Sequence, residues 1–485
     1  MPIEQARLLL GPDGEPVGRI VGIETESSVL VEATEGVKRY LEEYGGAYER
    51  GGDASTFVNV HVFGEKKDIY TDDGNREYLD LHKPEVSTAE ETSFSGAALR
   101  VARGHIKMAR RYEEALPSIN EELKNLVGIS GRTPIKQLII IANNCTPNLT
   151  AAWGSHENYQ TRRALTVEDD IFPAFVTHNV SRIVWSGIGL VVRGEKSGEY
   201  GYALSERAEF LEEEYGGGSL EKRALVNTRD EALANREYWR RYHDVSGETT
   251  MNPYTTALRL AAGSILLRAC ELGVDFSDLM PHNPIFAMRK ISHDTTLTKS
   301  IPLENGEQFT ALDLQEAIAQ RAIYHAEKAG YLTTQEQLWG QRWLSLIDSL
   351  KKDPRECSRM VDWVFKQSLI ERELDRPRKD HKTDYDIALR VATAYHSVLP
   401  SGLAIKAMRK GFYALNPTDK ELDEGLPLPN TRAMLRVSAI KALREAGINF
   451  TANWMNVRVE NKENLLFGDP SATTDDNLDR LLASL

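Results

Sequence analysis

Residues 76–88 group side chains that could handle a phosphate and a divalent metal. The first half of this segment alternates as a β-strand does, so Arg76, Tyr78 and Asp80 share one face and two leucines share the other. Glu85 follows a few residues later. One cation, one phenol and two carboxylates from one short segment suit a metal–phosphate site with a nearby base. The pattern is equally typical of an edge strand whose polar face is solvated.

The residues around this segment predict a β-hairpin. Thr56–Phe63 places valine at every second position and predicts a strand, and the run Asp72-Asp73-Gly74-Asn75 predicts the turn that leads into residues 76–81. Pro84 has no N–H to donate to a strand ladder, so regular pairing is expected to stop there. Glu85 would then follow where the chain leaves the strand.

Two further segments offer metal ligands. Glu24 and Glu26 are two residues apart after an apolar strand, so both carboxylates point the same way, and such a pair is costly unless a cation neutralises it. On a strand, His156 and Asn158 would share a face with Glu157 opposite, and an imidazole there can bind a metal or contact a phosphate. Solvated glutamates and a hydrogen-bonded core histidine are the structural alternatives.

Arg207 and Arg229 are candidates for anion binding. Arg207 lies in the segment Tyr202–Glu209 ahead of an acidic loop, and Arg229 lies at the predicted strand end Val226–Glu231. The guanidinium group is planar and permanently charged, which suits a phosphate or a carboxylate. A structural ion pair would explain either arginine equally well.

Helical periodicity predicts the scaffold that must position these residues. The predicted helices are Glu32–Tyr44, Gly96–Leu116, Ile171–Val180, Thr255–Leu272, Ala311–Ala329, Thr334–Ser349 and Ser358–Leu374. Thr334-Gln-Glu-Gln337 has the form of a capping box. The almost wholly apolar Gln137–Ala142 predicts a strand at a central position of a sheet.

The C-terminal part predicts a small appended unit. Leu426–Asn430 carries two prolines and marks a candidate boundary, and a helix (Thr431–Ala446), a strand (Trp454–Val459) and a short terminal helix follow it. Trp454 is either an anchor of the core or an aromatic plate for a flat ligand.

Composition narrows the class of protein. The 485 residues include 59 Lys and Arg against 72 Asp and Glu, and the net charge of −13 argues against a general nucleic-acid binder. Three scattered cysteines indicate a reducing compartment. The first ten residues lack the form of a signal peptide, and no apolar run reaches membrane-spanning length, so a cytoplasmic protein is expected. Gly187 and Gly189 do not complete a GxGxxG fingerprint, so no dinucleotide fold is predicted.

An ordered set of motifs resembles the family of Pup ligase (proteasome accessory factor A) and its paralogue, the Pup deamidase/depupylase. In chain order the motifs are Gly22–Glu26 (GIETE), Arg76–Asp80 (REYLD), Pro84-Glu85, Asn143-Asn144, His156–Tyr159 (HENY), Leu204–Glu209 (LSERAE), Asn227–Glu231 (NTRDE), Ile291–Thr296 (ISHDTT), Asp362-Trp363, Thr431-Arg432 and Phe450–Trp454 (FTANW). The resemblance spans essentially the whole chain.

The resemblance implies an α+β fold similar to glutamine synthetase and glutamate–cysteine ligase. Residues 1–414 would form a large catalytic domain in which a curved antiparallel sheet packs on helices. Residues 415–485 would form a small C-terminal α/β domain that closes on the nucleotide site. ATP and Mg²⁺ are expected on the concave face of the sheet.

The resemblance also implies roles for individual residues. The metal ligands would be Glu24, Tyr78 and Glu85, the nucleotide contacts Arg76, Thr88 and Trp454, and the catalytic aspartate Asp80. Glu26 and His156 are additional candidates for the metal and phosphate cluster on the shared-face argument, and Arg207 and Arg229 are additional anion-binding candidates.

The activity implied is ligation of a small, disordered Pup-like modifier through its C-terminal Glu to lysines of substrate proteins, with neither nucleic acid nor membrane as partner. One residue fewer separates Asp80 from Glu85 than in typical ligases, a spacing closer to the depupylase branch. The short chain between Glu24 and Asp80, without that branch's inserted loop, favours the ligase branch. A deamidase or depupylase, a small-molecule γ-glutamyl ligase and a non-catalytic binding module are the alternatives.

Overall fold

The structure is a computed structural model that describes residues 7–47, 53–64, 68–129, 131–218, 222–377, 381–460 and 464–485. Within these ranges the strands are β1 (Val21–Glu26), β2 (Ser28–Ala33), β3 (Ile69–Tyr70), β4 (Arg76–Asp80), β5 (Lys83–Ser87), β6 (Ile135–Ile141), β7 (Ser155–Arg162), β8 (Leu190–Arg193), β9 (Tyr200–Ala203), β10 (Leu211–Gly216), β11 (Arg223–Asn227), β12 (Trp239–Asp244), β13 (Ser300–Pro302), β14 (Gln308–Thr310), β15 (Phe450–Ala452), β16 (Asn456–Val459) and β17 (Leu465–Leu466). Residues 1–6, part of the stretch from which the absence of a signal peptide is predicted, lie outside the described residues.

The helices follow the same chain order. They are α1 (Glu35–Gly46), α2 (Thr56–Phe63), α3 (Phe94–Val127), α4 (Phe172–Ser181), α5 (Ile183–Ser186), α6 (Pro253–Glu271), α7 (Pro284–Ser292), α8 (Ala311–Lys328), α9 (Thr334–Lys352), α10 (Asp362–Leu374), α11 (Asp384–His396), α12 (Leu403–Arg409), α13 (Asp419–Asp423), α14 (Arg432–Glu445) and α15 (Asp476–Ser484). The long helices predicted from periodicity are confirmed, with ends shifted by at most four residues except in α3. This helix continues through Pro117 to Val127, eleven residues beyond the predicted end at Leu116. Among the described residues, none of these helices combines the length and the apolar character needed to cross a membrane.

A six-stranded antiparallel sheet in the order β12-β7-β1-β5-β4-β3 organises the molecule. Burial alternates along β1 and β7, because successive side chains point to opposite faces. The buried face carries residues such as Ile23 and Tyr159 and packs on the helical layer that contains α3 and α6. The expected α+β class, with an antiparallel sheet against helices, is confirmed.

A buried ion network fastens the sheet to that helical layer. Glu157 on β7 accepts hydrogen bonds from Arg259 of α6 at 2.8 Å and from Arg182 at 3.0 Å. Burial opposes ionisation of Glu157, but the two guanidinium groups outweigh it and lower its pKa to about 2. The register of β7 is therefore fixed from below, because a slip by one residue would put Glu157 on the other face.

Thr56–Phe63 forms helix α2, so the predicted strand is wrong. Residues on both faces of the apparent alternation are buried, including Phe57 and Val58, because the segment packs against α1 and α3. The local start signal lies just upstream, where the Asp53 N–H donates to the Thr56 hydroxyl at 2.9 Å and the Asp53 carboxylate accepts from the Ser55 N–H at 2.8 Å. Tertiary burial outweighs β-propensity here.

Pro84 does not end regular pairing, which corrects the second prediction about this region. The chain turns at Leu81 and His82, both with positive φ, and returns as β5 with Pro84 opposite Leu79. The ladder to β1 begins one residue later, where Glu85 pairs with Glu26, so the missing N–H of Pro84 removes no ladder hydrogen bond.

Two other predictions need correction. The strand predicted at Gln137–Ala142 exists as β6, but it pairs with β2 in a separate two-stranded sheet and not at the centre of the main one. Ile135, Leu138 and Ile140 are buried in an apolar cluster with residues of α3, whereas Lys136 and Gln137 are exposed. The capping box of α9 begins one residue earlier than predicted: the Thr333 hydroxyl accepts from the Glu336 N–H, and the Glu336 carboxylate accepts from the Thr333 N–H at 2.9 Å.

The C-terminal helix α14 attaches to the sheet through one buried carboxylate. Glu90 accepts hydrogen bonds from Arg432 Nε at 2.7 Å and from Arg436 Nη2 at 2.6 Å, and its backbone carbonyl accepts from the Thr431 hydroxyl at 2.8 Å. Burial alone would raise the pKa of Glu90, but the two arginines lower it to about 2. Strand β16 begins at Asn456, and Trp454 lies in the turn before it.

We predict that Glu90→Gln lowers the free energy of unfolding by roughly 3–5 kcal/mol, because two buried guanidinium groups lose their counter-ion. Urea denaturation at neutral pH measures this change. Since the folded pKa lies below the unfolded one, the wild type should lose this stabilisation as the pH falls from about 4.5 towards about 2. The difference between wild type and variant should shrink over the same interval.

The control is Glu424→Gln, which removes an exposed glutamate 3.9 Å from Lys420 and should change the stability by less than about 1 kcal/mol. Equal stability of wild type and Glu90→Gln would contradict the role given to this carboxylate.

Candidate active site

The face of the main sheet opposite the apolar one collects the polar side chains of four neighbouring strands. Glu24 on β1 pairs across the strands with His156 on β7 and with Ser87 on β5. On the next strand, Tyr78 lies opposite Glu85. Directly opposed residues share a face in an antiparallel sheet, so these side chains form one continuous surface. The structure therefore brings together the three residues expected to bind metal, together with His156.

Glu24 is the centre of this surface. His156 Nδ1 lies 3.4 Å from its carboxylate, His243 Nε2 lies 3.3 Å from it, and Arg241 Nη1 lies 3.4 Å from its other oxygen. Sequence reasoning missed His243 and Arg241, both on β12. The alternation of Arg241, Tyr242 and His243 could have indicated a strand with both polar residues on one face.

The carboxylate and the two imidazoles have the geometry of a metal-ligating group. One potential ligand atom from each of Glu24, His156 and His243 lies within 4.8 Å of the others. The two ring nitrogens of His243 are buried and accept or donate no well-oriented hydrogen bond within the described residues. Burial lowers the pKa of His243 to about 4, so the ring is neutral at physiological pH, as a metal ligand must be.

A second carboxylate cluster adjoins the first. The Tyr78 hydroxyl donates to Glu85 at 2.5 Å, and Glu26 lies across the strand from Glu85. Burial raises the pKa of Glu85 well above its ordinary value, and the charges of Glu24 and Glu26 raise it further. Burial also raises the pKa of Tyr78, so this residue offers a neutral oxygen. Neither Glu26 nor Glu85 forms a salt bridge within the described part of the chain, so the two carboxylates could hold a divalent cation.

Asp80 lies at the exposed rim of the same surface, at the last position of β4 before the hairpin turn. Burial raises its pKa above the ordinary value for aspartate, while the nearby His156, Arg76 and Arg229 partly oppose the shift. Arg229 follows β11, and its N–H donates to the Asn227 side chain at 2.8 Å. Its charge acts on Asp80, and it lies at the rim, outside the metal-ligand cluster.

A solvent-open cavity lies beside the Glu24 cluster, between the sheet and the C-terminal segment. Gly22 and Thr88 line its floor, and Trp454 and Leu233 line its sides. A Cβ added at Gly22 would lie 3.5 Å from the Thr88 hydroxyl. The glycine therefore leaves the space above this part of the sheet open to a ligand. The indole of Trp454 beside the largely apolar lining suits the stacking of a flat base. Thr88 also accepts from the Ile23 N–H at 3.0 Å, which fixes its side chain.

Arg76 lies between Trp454, on the side of the cavity, and Tyr78 of the β4–β5 hairpin. Its guanidinium lies 4.0 Å from the ring centroid of Tyr78 and 5.8 Å from that of Trp454, and it donates to both carboxylate oxygens of Asp68 at 2.9 Å. This stacking holds the cation at the edge of the polar face. The three residues expected to contact a nucleotide are thus close to one another.

Arg207 lies beneath the rim and not on the open face. Its Nη1 donates to the backbone carbonyls of Val245 at 2.7 Å and Gly247 at 3.1 Å. Burial lowers its pKa to about 10. A Cβ added at Gly154 would collide with the Arg207 guanidinium and would lie 2.5 Å from His156 Nε2, so the arginine and the histidine approach the same glycine.

The chain is similar to known proteins over almost its whole length. The sequence pattern of the Pup-ligase protein family matches residues 19–458. The Pup--protein ligases of Mycobacterium bovis and Mycolicibacterium vanbaalenii are 31% and 32% identical to this chain over 479 residues, covering 96% of it and 99% of each relative.

Two solved structures show the same fold. The ligase PafA in its complex with the prokaryotic ubiquitin-like protein Pup has a TM-score of 0.78 at 23% identity, over 99% of this chain and 93% of that one. PafA in complex with ADP has a TM-score of 0.69 at 25% identity, over 86% and 90%. The pattern spans nine-tenths of the sequence, and the relatives are matched over almost their full length. This chain therefore belongs to the Pup-ligase family.

Proposed function

We propose that the chain is an ATP-dependent carboxylate–amine ligase that joins the C-terminal Glu of a Pup-like modifier to lysines of substrate proteins. One observation carries the proposal: a cleft lined by Thr88 and Trp454 opens directly onto the cluster of carboxylates and imidazoles around Glu24, with Asp80 at the rim. The names of the relatives, Pup--protein ligase and PafA bound to Pup or to ADP, support the same activity.

The reaction needs activation because oxide is a poor leaving group from a carboxylate. Transfer of the γ-phosphoryl group of ATP to the γ-carboxylate of the modifier's C-terminal Glu gives an acyl phosphate and ADP. The neutral lysine amine then attacks the acyl carbon, the C–N bond forms, and phosphate leaves with the electrons of the C–O bond. The ammonium proton goes to Asp80, whose raised pKa makes it a better base than a solvated aspartate.

Glu24, Tyr78 and Glu85 would hold Mg²⁺, with Glu26, His156 and His243 completing its surroundings. The raised pKa of Glu85 supports this assignment, because a cation would favour its ionised form. The His243 ring also supports it, because its Nε2 lies 3.3 Å from Glu24 and neither ring nitrogen makes a well-oriented hydrogen bond with the described residues. The metal would supply neutralisation of phosphate charge. Arg76 would add a fixed positive charge at the edge of the same face.

Thr88 and Trp454 would bind the nucleotide from opposite sides of the cavity. The Thr88 hydroxyl accepts from a backbone N–H and so keeps its own proton available for donation to a ligand oxygen. Arg229 would stabilise anionic groups at the rim, where its charge acts on Asp80.

The proposal extends to domains and compartment. Residues 1–414 would be the catalytic domain, and residues 415–485 the small domain that closes on the nucleotide. In support, apolar residues of the C-terminal segment form their own cluster, and Trp454 and Arg432 line the cavity opposite the sheet. The three cysteines are buried and unpaired, which suits a cytoplasmic protein.

The direct test is incubation of the purified chain with ATP, Mg²⁺, a Pup protein ending in glutamate and a lysine-bearing acceptor protein. ADP and a covalent conjugate should form together, in equal amounts. Cleavage of a preformed isopeptide without net ATP consumption would identify a depupylase instead. Release of ADP with free glutamate and a small amine would identify a small-molecule ligase.

We predict that Asp80→Asn lowers the rate of conjugation by about 10²–10⁴-fold, because an amide cannot accept the ammonium proton. Binding of ADP, measured by calorimetry, should stay within about twofold of the wild type, since Asp80 lies outside the nucleotide cavity. Asp72→Asn, on the exposed turn before β4, is the matched control and should conjugate normally. Undiminished conjugation by Asp80→Asn would remove the proposed base.

We predict that Glu24→Gln raises the Mg²⁺ concentration needed for half-maximal ADP binding by at least about tenfold, because a central ligand loses its charge. The measurement is a Mg²⁺ titration of ADP binding, with EDTA as the metal-free reference. The control is Glu32→Gln, which changes an exposed glutamate on β2, the next strand in the chain, and should titrate like the wild type. If EDTA leaves ADP binding unchanged, the metal site is misassigned.

A further inference from the structure

Gln160 brings an unused hydrogen-bond donor to the cavity beside the Glu24 cluster. The residue is half-buried on β7 and lines the cavity together with Trp454. Its Nε2 is buried and has no hydrogen-bond partner among the residues that the structure describes. Its Oε1 accepts a long hydrogen bond, 3.4 Å from the Ile20 N–H. A buried amide donor of this kind costs free energy until a ligand satisfies it.

The alternation of β7 directs the Gln160 amide toward the ligand. His156, Asn158 and Gln160 are alternate residues of the strand, so their side chains point to the same side of the sheet. The Gln160 backbone is fixed by two hydrogen bonds. Its N–H donates to the Ile20 carbonyl at 2.9 Å, and its carbonyl accepts from Arg19 Nη1 at 2.6 Å. The side chain therefore starts from a rigid position in the sheet.

The two preceding polar side chains on this face are already engaged. His156 Nδ1 lies 3.4 Å from the Glu24 carboxylate, and Asn158 Oδ1 accepts from Arg241 at 2.7 Å. Gln160 lies four residues beyond His156 on β7, which is about 13 Å along a strand. A nucleotide whose phosphates lie at Glu24 can therefore extend along β7 and bring its base to the Gln160 amide.

The cavity wall around Gln160 is largely apolar. Ile20, Leu233 and Pro470 line it beside the indole of Trp454. Such side chains can hold the faces of a flat ring, but they cannot distinguish one purine from another, because the purines differ in the polar groups on their edges. An amide set in this wall can fix both the orientation and the identity of the base.

We propose that the Gln160 amide binds the edge of the nucleotide base and selects adenine over guanine. This inference rests on the proposed ATP-dependent function. Adenine presents a 6-amino donor beside a ring-nitrogen acceptor, which matches Oε1 and Nε2 of a glutamine in a bidentate pair. The amide oxygen has two lone pairs, so it can accept from the base as well as from Ile20. Guanine carries a carbonyl oxygen in place of the amino group, and Oε1 would face a second acceptor.

The test measures the binding of ADP, GDP and purine riboside 5′-diphosphate, which lacks the 6-amino group, to the full chain by calorimetry with Mg²⁺. The wild type should bind ADP about 10- to 100-fold more tightly than GDP and about 10-fold more tightly than the purine riboside analogue. Gln160→Leu should bind all three nucleotides within about threefold of one another, because an apolar side chain cannot pair with the base edge.

Gln137→Leu is the matched control, because Gln137 is an exposed glutamine on β6 in a separate sheet. This variant should keep the full preference for ADP. Equal binding of ADP and GDP by the wild type would overturn the proposal, even if Gln160→Leu fails to fold. An undiminished preference for ADP in folded Gln160→Leu would also overturn it. Failure of the wild type to bind any of the three nucleotides would count against the ATP-dependent function itself.

Discussion

Crowding of negative charge on one face of a sheet is the constraint on which the rest of this structure depends. The register of β1 and β5 places Glu26 directly beside Glu85, and Glu24 is one step along the same face. Two imidazoles and Arg241 surround Glu24, whereas burial and like charge keep the pKa of Glu85 high. A cation between these carboxylates would relieve that repulsion.

The helical layer on the buried face of the sheet fixes the register of β7, so the strands keep their positions despite the crowded carboxylates on the other face. Glu157, between His156 and Asn158 on β7, points into the core and is held by Arg182 and Arg259. A strand so anchored cannot slip, so the repulsion on the upper face cannot be relieved by movement of the strand. The C-terminal helix is tied to the same sheet through Glu90, which keeps the cavity wall beside the carboxylates.

The local sequence pattern predicted which residues of one strand share a face, but not which residues of other strands lie beside them. Alternation placed Arg76, Tyr78 and Asp80 on one face, and the spacing of Glu24 and Glu26 placed both carboxylates together, because these relations lie within single strands. His243 could not be linked to Glu24 in this way, since the contact depends on the pairing of β12 with β7. Thr56–Phe63 failed for a related reason: packing against α1 and α3 decides its helical state, and the local alternation of valines does not report that packing.

The length of the hairpin turn at Leu81 and His82 fixes the position of Glu85, a proposed metal ligand, relative to Asp80, the proposed base. Asp80 closes the turn opposite Lys83, so Glu85 returns on the same face as Tyr78. One inserted residue without a compensating bulge would invert β5 and direct Glu85 into the apolar core. The length of this turn therefore determines the face of the sheet to which every β5 side chain points. Evolution can lengthen the turn only by adding a bulge or by adding residues in pairs.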